Sequence, residues 1–227
     1  MKIDLRDQRF LTIVMDAINL LEESSILQNQ LGASLARASI MNSVVVVEAV
    51  ANCCLFATKA SGTLFRELDR LPPLAKLDYF CFAIKRVHID RGIREVELVS
   101  EVLHLRDHIA HPKPKSGELV LGSDEEYGSY GATKNLQIPF DTRQWGSSEA
   151  KSVLTTVMRF LSTFFLDTCG LTKGKVTTLL VVRETDLIRK GIDTYVTVGR
   201  ADFEAVTKWA KQLHEIIDIR VTEKPNE

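Results

Sequence analysis

Ile40-Met41-Asn42-Ser43-Val44-Val45-Val46-Val47-Glu48-Ala49-Val50-Ala51-Asn52-Cys53-Cys54 is the stretch on which the fold turns. Four consecutive valines suit a strand, because β-branched side chains pack well on a pleated surface and lose χ1 freedom in a helix. The surroundings point the other way. From Ala33 to Lys59 no glycine or proline interrupts the chain, a run far longer than ordinary strands. Read as a helix, Gly32 to Lys59 is apolar nearly all round and rich in alanine and valine, and such a helix belongs in the middle of a bundle. Within it Glu48 is out of place, since a buried carboxylate needs a partner.

Helical periodicity extends to both sides. Leu11, Val14, Met15, Ile18, Leu21 and Ile26 recur at the spacing of an amphipathic helix over Phe10 to Leu27. Ser61-Gly62 closes the long helix, and Thr63 to Asp69 adds a short helical turn. Pro73 is suited to start a third main helix, running through Leu77, Phe80, Ile84 and Val87. Arg91-Gly92 separates it from a fourth over Ile93 to Ala110. From Pro112 to Ser148 prolines and glycines punctuate a long loop, with two short strands expected at Glu118 to Leu121 and Leu136 to Phe140. Ser147 or Ser148 can cap a fifth helix, with Glu149 in its first turn, that carries Val153, Val157, Phe160, Leu161, Phe164 and Phe165 to a stop at Gly170. Its aromatics read as core. Beyond Gly170, Val176 to Val182 and Ile192 to Val198 read as strands, and Ala201 to Ile217 as a last helix. The expected fold is mainly α: an antiparallel bundle of about five helices over residues 5–170, with a small C-terminal α/β extension over 171–227.

Composition narrows the function. The 227 residues are 45% hydrophobic, ample for a sizeable core, and the net charge of −1 advertises no general affinity for nucleic acid or anionic lipid. Any nucleic-acid site must be local, and a local excess exists: Lys85, Arg86, His88, Arg91 and Arg94 lie close together, and Lys113 and Lys115 follow further on. Polar and charged residues interrupt the most apolar stretch, which disfavours a membrane span, and the N-terminal residues lack a secretory signal. A cytoplasmic protein is expected. Cys53, Cys54, Cys81 and Cys169 lack zinc-ligand spacing and read as reduced packing residues. No phosphate-cradling glycine loop and no nucleophile elbow occurs, and no cofactor is implied.

One hexapeptide carries chemistry: Arg106-Asp107-His108-Ile109-Ala110-His111, followed by Pro112. Leu98, Val102, Leu105 and Ile109 form one apolar row of the fourth helix, and Val99, Leu103 and Ala110 form the next. Arg106 projects between them. On a regular helix Arg106 and His111 point roughly 140° apart, but a residue before proline is pushed out of the α region, so His111 marks the helix end and its ring can swing off the helical track. A guanidinium can hold a phosphate through two parallel hydrogen bonds, and an imidazole can move a proton near neutral pH. These are the two groups needed for metal-free phosphodiester cleavage.

With Arg106, the polar Asp107 and His111 in these positions, the chain resembles the HEPN superfamily, the higher eukaryotes and prokaryotes nucleotide-binding domain. Its hallmark is an arginine, a polar residue, three further residues and a histidine at the end of a late helix. Glu48 and Asn52, one turn apart, are similar to the acidic and polar positions that some members carry. The resemblance implies a metal-independent endoribonuclease of the toxin or defence type, with Arg106 and His111 catalytic and Asp107 orienting them. It implies a homodimer whose two motif copies share one cleft, RNA as substrate, and an antitoxin protein as a further partner. Glu48, Asn52 and His108 would support the site, and Lys113, Lys115, Arg91 and Arg94 would contact RNA.

Two alternatives stand beside it. In the first, Arg106 pairs with Glu48 as a structural ion pair and His111 caps the helix C-terminus, leaving a non-catalytic interaction or nucleotide-binding module of the same fold. In the second, His104, His108 and His111, with Glu97 and Glu101, line one face and bind a transition metal. No other helix offers an obvious complementary ligand group, so no metal is expected.

Overall fold

The computed structural model describes residues 10–27, 29–110, 118–121 and 126–180. It is a mainly α-helical bundle. In chain order the elements are α1 (Phe10–Ile26), α2 (Gln30–Ala57), α3 (Gly62–Asp69), α4 (Pro73–Lys85), α5 (Arg94–Ala110), β1 (Glu118–Leu121), β2 (Glu126–Ser129), α6 (Ser147–Ser162) and α7 (Lys173–Leu180). A 3-10 turn at Thr142–Gln144 precedes α6, and a π-helical turn, Thr163–Thr168, continues it. The chain divides into two compact units, one of Met1–Met15, Val45–Ile89 and Leu161–Glu227, the other of Asp16–Val44 and Asp90–Phe160.

The valine run is helical. In the first unit Val46, Val47, Val50, Ala51, Cys54 and Leu55 are all fully buried. Successive helical residues point about 100° apart, so burial of both Val46 and Val47, and of both Cys54 and Leu55, leaves this part of α2 a wide apolar face. Length and composition would also let α2 cross a membrane, but half of its most apolar window is buried within the fold. Leu74, Leu77, Phe80 and Cys81 of α4 complete this core with Leu161, Phe164 and Phe165. The π turn lets the adjacent Phe164 and Phe165 both be buried, in edge contact at 5.0 Å between centroids, with Phe80 at 6.3 Å from Phe164. Cys169 N–H donates to the Phe164 carbonyl and Leu171 N–H to that of Phe165, closing the turn around Gly170 at φ +60.

In the second unit α1 and α2 approach closely through small residues. Ala17, Ala36 and Ser39 are fully buried, and the Ser39 hydroxyl donates to the Ala17 carbonyl at 2.7 Å. Asn29 starts α2, its side-chain oxygen accepting from the backbone N–H groups of Leu31 and Gly32. Gly32 is required there, because a Cβ would overlap the Leu27 carbonyl. α6 starts at Gly146, whose N–H donates to the Glu149 carboxylate at 2.8 Å, so the reach-back of an acidic third helical residue serves in place of a serine cap. Val96, Val99, Val102 and Leu105 form the buried stripe of α5.

Two strand expectations need correction. Glu118 to Leu121 is a strand as expected and pairs antiparallel with β2, Glu118 opposite Ser129 and Leu121 opposite Glu126, whereas Leu136 to Phe140 is not a strand. The latter segment turns: Gln137 is left-handed at φ 57, the Thr133 hydroxyl accepts from Ile138 N–H, and only an isolated bridge joins Ala132 to Pro139. Proline has no N–H to continue a ladder. Val176 to Leu180 is helical, not extended. Thr172 caps α7, and the i, i+4 pair Val176 and Leu180 is buried on one face, which overrides the β propensity of Val176-Thr177-Thr178. The remainder of the expected extension, including Ile192 to Val198 and Ala201 to Ile217, lies outside the described residues.

The Gly32 clash predicts that Gly32→Ala lowers stability by more than about 2 kcal/mol in urea titration. Gly62→Ala, where a Cβ meets nothing within 4 Å, should raise it by about 0.5 kcal/mol. Ser162 Oγ is buried without a hydrogen-bond partner among the described residues, so Ser162→Ala is expected to be neutral or stabilising in the same titration.

Candidate functional site

α5 carries the candidate site toward its C-terminal end. Arg106 lies in the last described turn, one turn after the fully buried Val102 and next to the fully buried Leu105. Its half-buried position agrees with the apolar arc expected from the periodicity. Asp107 and His108 belong to the same helix. His111, Lys113 and Lys115 lie outside the described residues.

Glu48 and Asn52 sit one turn apart in α2, Glu48 half-buried and Asn52 exposed. Glu48 belongs to the first unit and Arg106 to the second, and each has an interaction partner. Asn52 has a defined contact. Its side-chain oxygen accepts from the Lys76 ammonium at 2.7 Å, and Asp69 accepts from the same group at 3.2 Å. Lys76 is only 8% exposed, so these two acceptors compensate a charge that would otherwise be costly to bury. Asn52 thus anchors α4 to α2. Arg91 and Arg94 are exposed, in the turn before α5 and at its first residue.

One of the two acidic members of the proposed metal row, Glu101, is occupied elsewhere. The Glu101 carboxylate accepts from Asn135 N–H at 2.9 Å, Leu136 N–H at 3.0 Å and the Asn135 side-chain amide at 2.9 Å, fastening the 134–136 loop to α5. Among the described residues no group of three or more His, Cys, Asp or Glu side chains is placed to hold a metal. A shallow groove of about 390 Å3 in the second unit is lined by Asp16, Asn19, Leu20, Glu23 and Asn42. Its two carboxylates have the wrong sign for a phosphate, and it includes none of the residues singled out from sequence.

The cysteines are free and all in the first unit, Cys54, Cys81 and Cys169 buried. Burial pushes the Cys53 thiol up to about 11 and raises those of Cys54, Cys81 and Cys169 as well. At neutral pH all four are protonated, which disfavours nucleophilic catalysis by thiolate.

A second cluster was not legible in the sequence. At the end of α4, Asp78 Oδ1 accepts from Ile89 N–H at 2.7 Å and Asp78 Oδ2 lies 3.0 Å from His88 Nδ1. The His88 ring stacks on Phe82 at 5.0 Å, 18° from parallel, and the Arg86 guanidinium lies 5.3 Å from the Phe82 centroid. The basic excess around Lys85 to Arg94 was the only hint of it.

No protein-family model, no curated protein and no solved structure matches the chain.

Replacing Glu101 with alanine should cost about 1–3 kcal/mol and speed amide exchange at Asn135 and Leu136, while added zinc leaves the melting temperature of either protein unchanged. The raised thiols make alkaline pH destabilising. The unfolded chain releases these protons from about pH 8.5, whereas the folded chain keeps that of Cys53 to about 11. Stability is therefore full below the first value and falls as pH rises toward the second. Urea midpoints at pH 7.5 and 10 under reducing conditions should show the fall, and Cys53→Ala should reduce it.

Proposed function

We propose that the chain is an HEPN-like, metal-independent endoribonuclease that acts as a cytoplasmic homodimer, in the manner of a toxin or defence nuclease. One observation carries the reading: Arg106 sits at the C-terminal end of a late helix in a helical bundle, on the face that packs against the core, with a polar residue next and His111 five positions on.

Cleavage needs three acts. An imidazole accepts the proton of the ribose 2′-hydroxyl as its oxygen attacks phosphorus. The Arg106 guanidinium stabilises the charge that builds on the phosphoryl oxygens. A second imidazole gives a proton to the departing 5′-oxygen, leaving a 2′,3′-cyclic phosphate and a 5′-hydroxyl. Two copies of the chain would provide both imidazoles as His111, one as base and one as acid. Asp107 would orient the pair, and Lys113, Lys115, Arg91 and Arg94 would hold the strand.

The second reading is the non-catalytic module, in which Arg106 and Glu48 would be a structural pair. His111→Ala separates the two. The nuclease reading expects purified protein to cut RNA in EDTA, and expects this alanine variant to lose at least about 100-fold in rate with little change in melting temperature. RNA left intact by the unaltered chain, or cut equally by the variant, would remove it.

A further inference from the structure

We infer that the C-terminal cap of α4 is a stacking subsite for single-stranded RNA, formed by His88, Phe82 and Arg86. The choice of RNA rests on the ribonuclease reading above; the geometry stands without it.

Arg86 ends α4 in the left-handed region, at φ 61 and ψ 28, where glycine is the usual occupant. An arginine there accepts backbone strain that glycine would avoid, and its side chain is placed beside an aromatic ring. Asp78 uses one carboxylate oxygen to fix the backbone at Ile89 and the other to hold His88. The His88 side chain nevertheless remains 70% exposed. A solvated imidazole normally samples several rotamers; this one is fixed by a hydrogen bond to Asp78 on its edge and by Phe82 on one face. Its ordering cost is therefore met before any ligand arrives.

The result is a flat, exposed and pre-oriented ring surface with a guanidinium at hand. The Asp78 carboxylate, the acidic group in the cluster, is already matched by His88 and the Ile89 N–H. A planar base fits such a surface, since every base has a π face, while Arg86 can meet the adjoining phosphate. An acidic peptide would satisfy the charge of Arg86 but would leave the parallel ring face unused.

The test is fluorescence anisotropy with a labelled 2′-O-methyl oligoadenylate of about twelve nucleotides, which cannot be cleaved through its 2′-oxygen, and the full-length chain. His88→Ala and Arg86→Gly should each weaken binding by about tenfold. Arg86→Gly should also reduce the salt dependence by about one phosphate contact while holding or raising the melting temperature, because glycine fits φ 61. That combination separates a lost contact from a damaged fold. The subsite is overturned if the unaltered chain does not bind the oligonucleotide, if both variants bind it as well as the parent, or if polyglutamate displaces it from parent and His88→Ala alike. Cleavage of unmodified RNA is assayed in parallel. Cleavage that depends on His111, with binding indifferent to His88, removes the subsite and leaves the nuclease. Binding that depends on His88, without cleavage by any protein, removes the nuclease and leaves the subsite.

Discussion

The structure depends on α2, a helix with too much apolar surface for one neighbour to cover. Val44, in the second unit, and Val46, Val47, Val50, Ala51, Cys54 and Leu55, in the first, are fully buried. At roughly 25 cal/mol per Å2 of buried apolar surface, such a helix contributes a large part of the driving force for folding. Its small residues matter as much as its valines. Ser39 and Ala36 let α1 come close enough for a hydroxyl-to-carbonyl bond between helices, and Gly32 lets the preceding carbonyl lie against the first turn.

Carboxylates and amides fasten the less regular parts. Glu101 holds the 134–136 loop, Asp78 holds the chain as it leaves α4, Asn52 and Asp69 hold Lys76, and Glu149 closes the start of α6. Each places a side-chain acceptor on a backbone N–H or a cation that would otherwise lack a partner, and an unmatched buried donor costs more than a made bond returns. Residues that looked like ligands in one dimension are thus anchors in three. Glu101 is the clearest case: a row of acid and imidazole groups has the spacing of a metal site, yet its carboxylate faces a loop 34 residues further along the chain.

The candidate chemistry sits where regularity ends. Arg106 follows the buried stripe of α5 at the interval that brings it to the edge of the core, and His88 follows α4 beyond its left-handed cap. Helix ends are where a side chain can leave the 100° progression and be aimed independently of its neighbours. The His88 cluster pairs a position set by helical periodicity, Phe82, with one freed from it.

Read alone, the residues reveal the helices and their limits, since a 3.6-residue apolar period, Pro73 at a first turn and Gly170 at a last one are local signals carried in the covalent order of the chain. The half-buried place of Arg106 was legible for the same reason. What neighbours decide was not. Val176 to Leu180 is β-branched by composition but helical because Val176 and Leu180 must both face the core, and Leu136 to Phe140 is no strand because Pro139 cannot donate and Gln137 turns the chain. Asp78 with His88, Asn52 with Lys76 and Glu101 with Asn135 could come only from tertiary structure, because hydrogen bonds between segments depend on distances in space that spacing along the sequence does not encode.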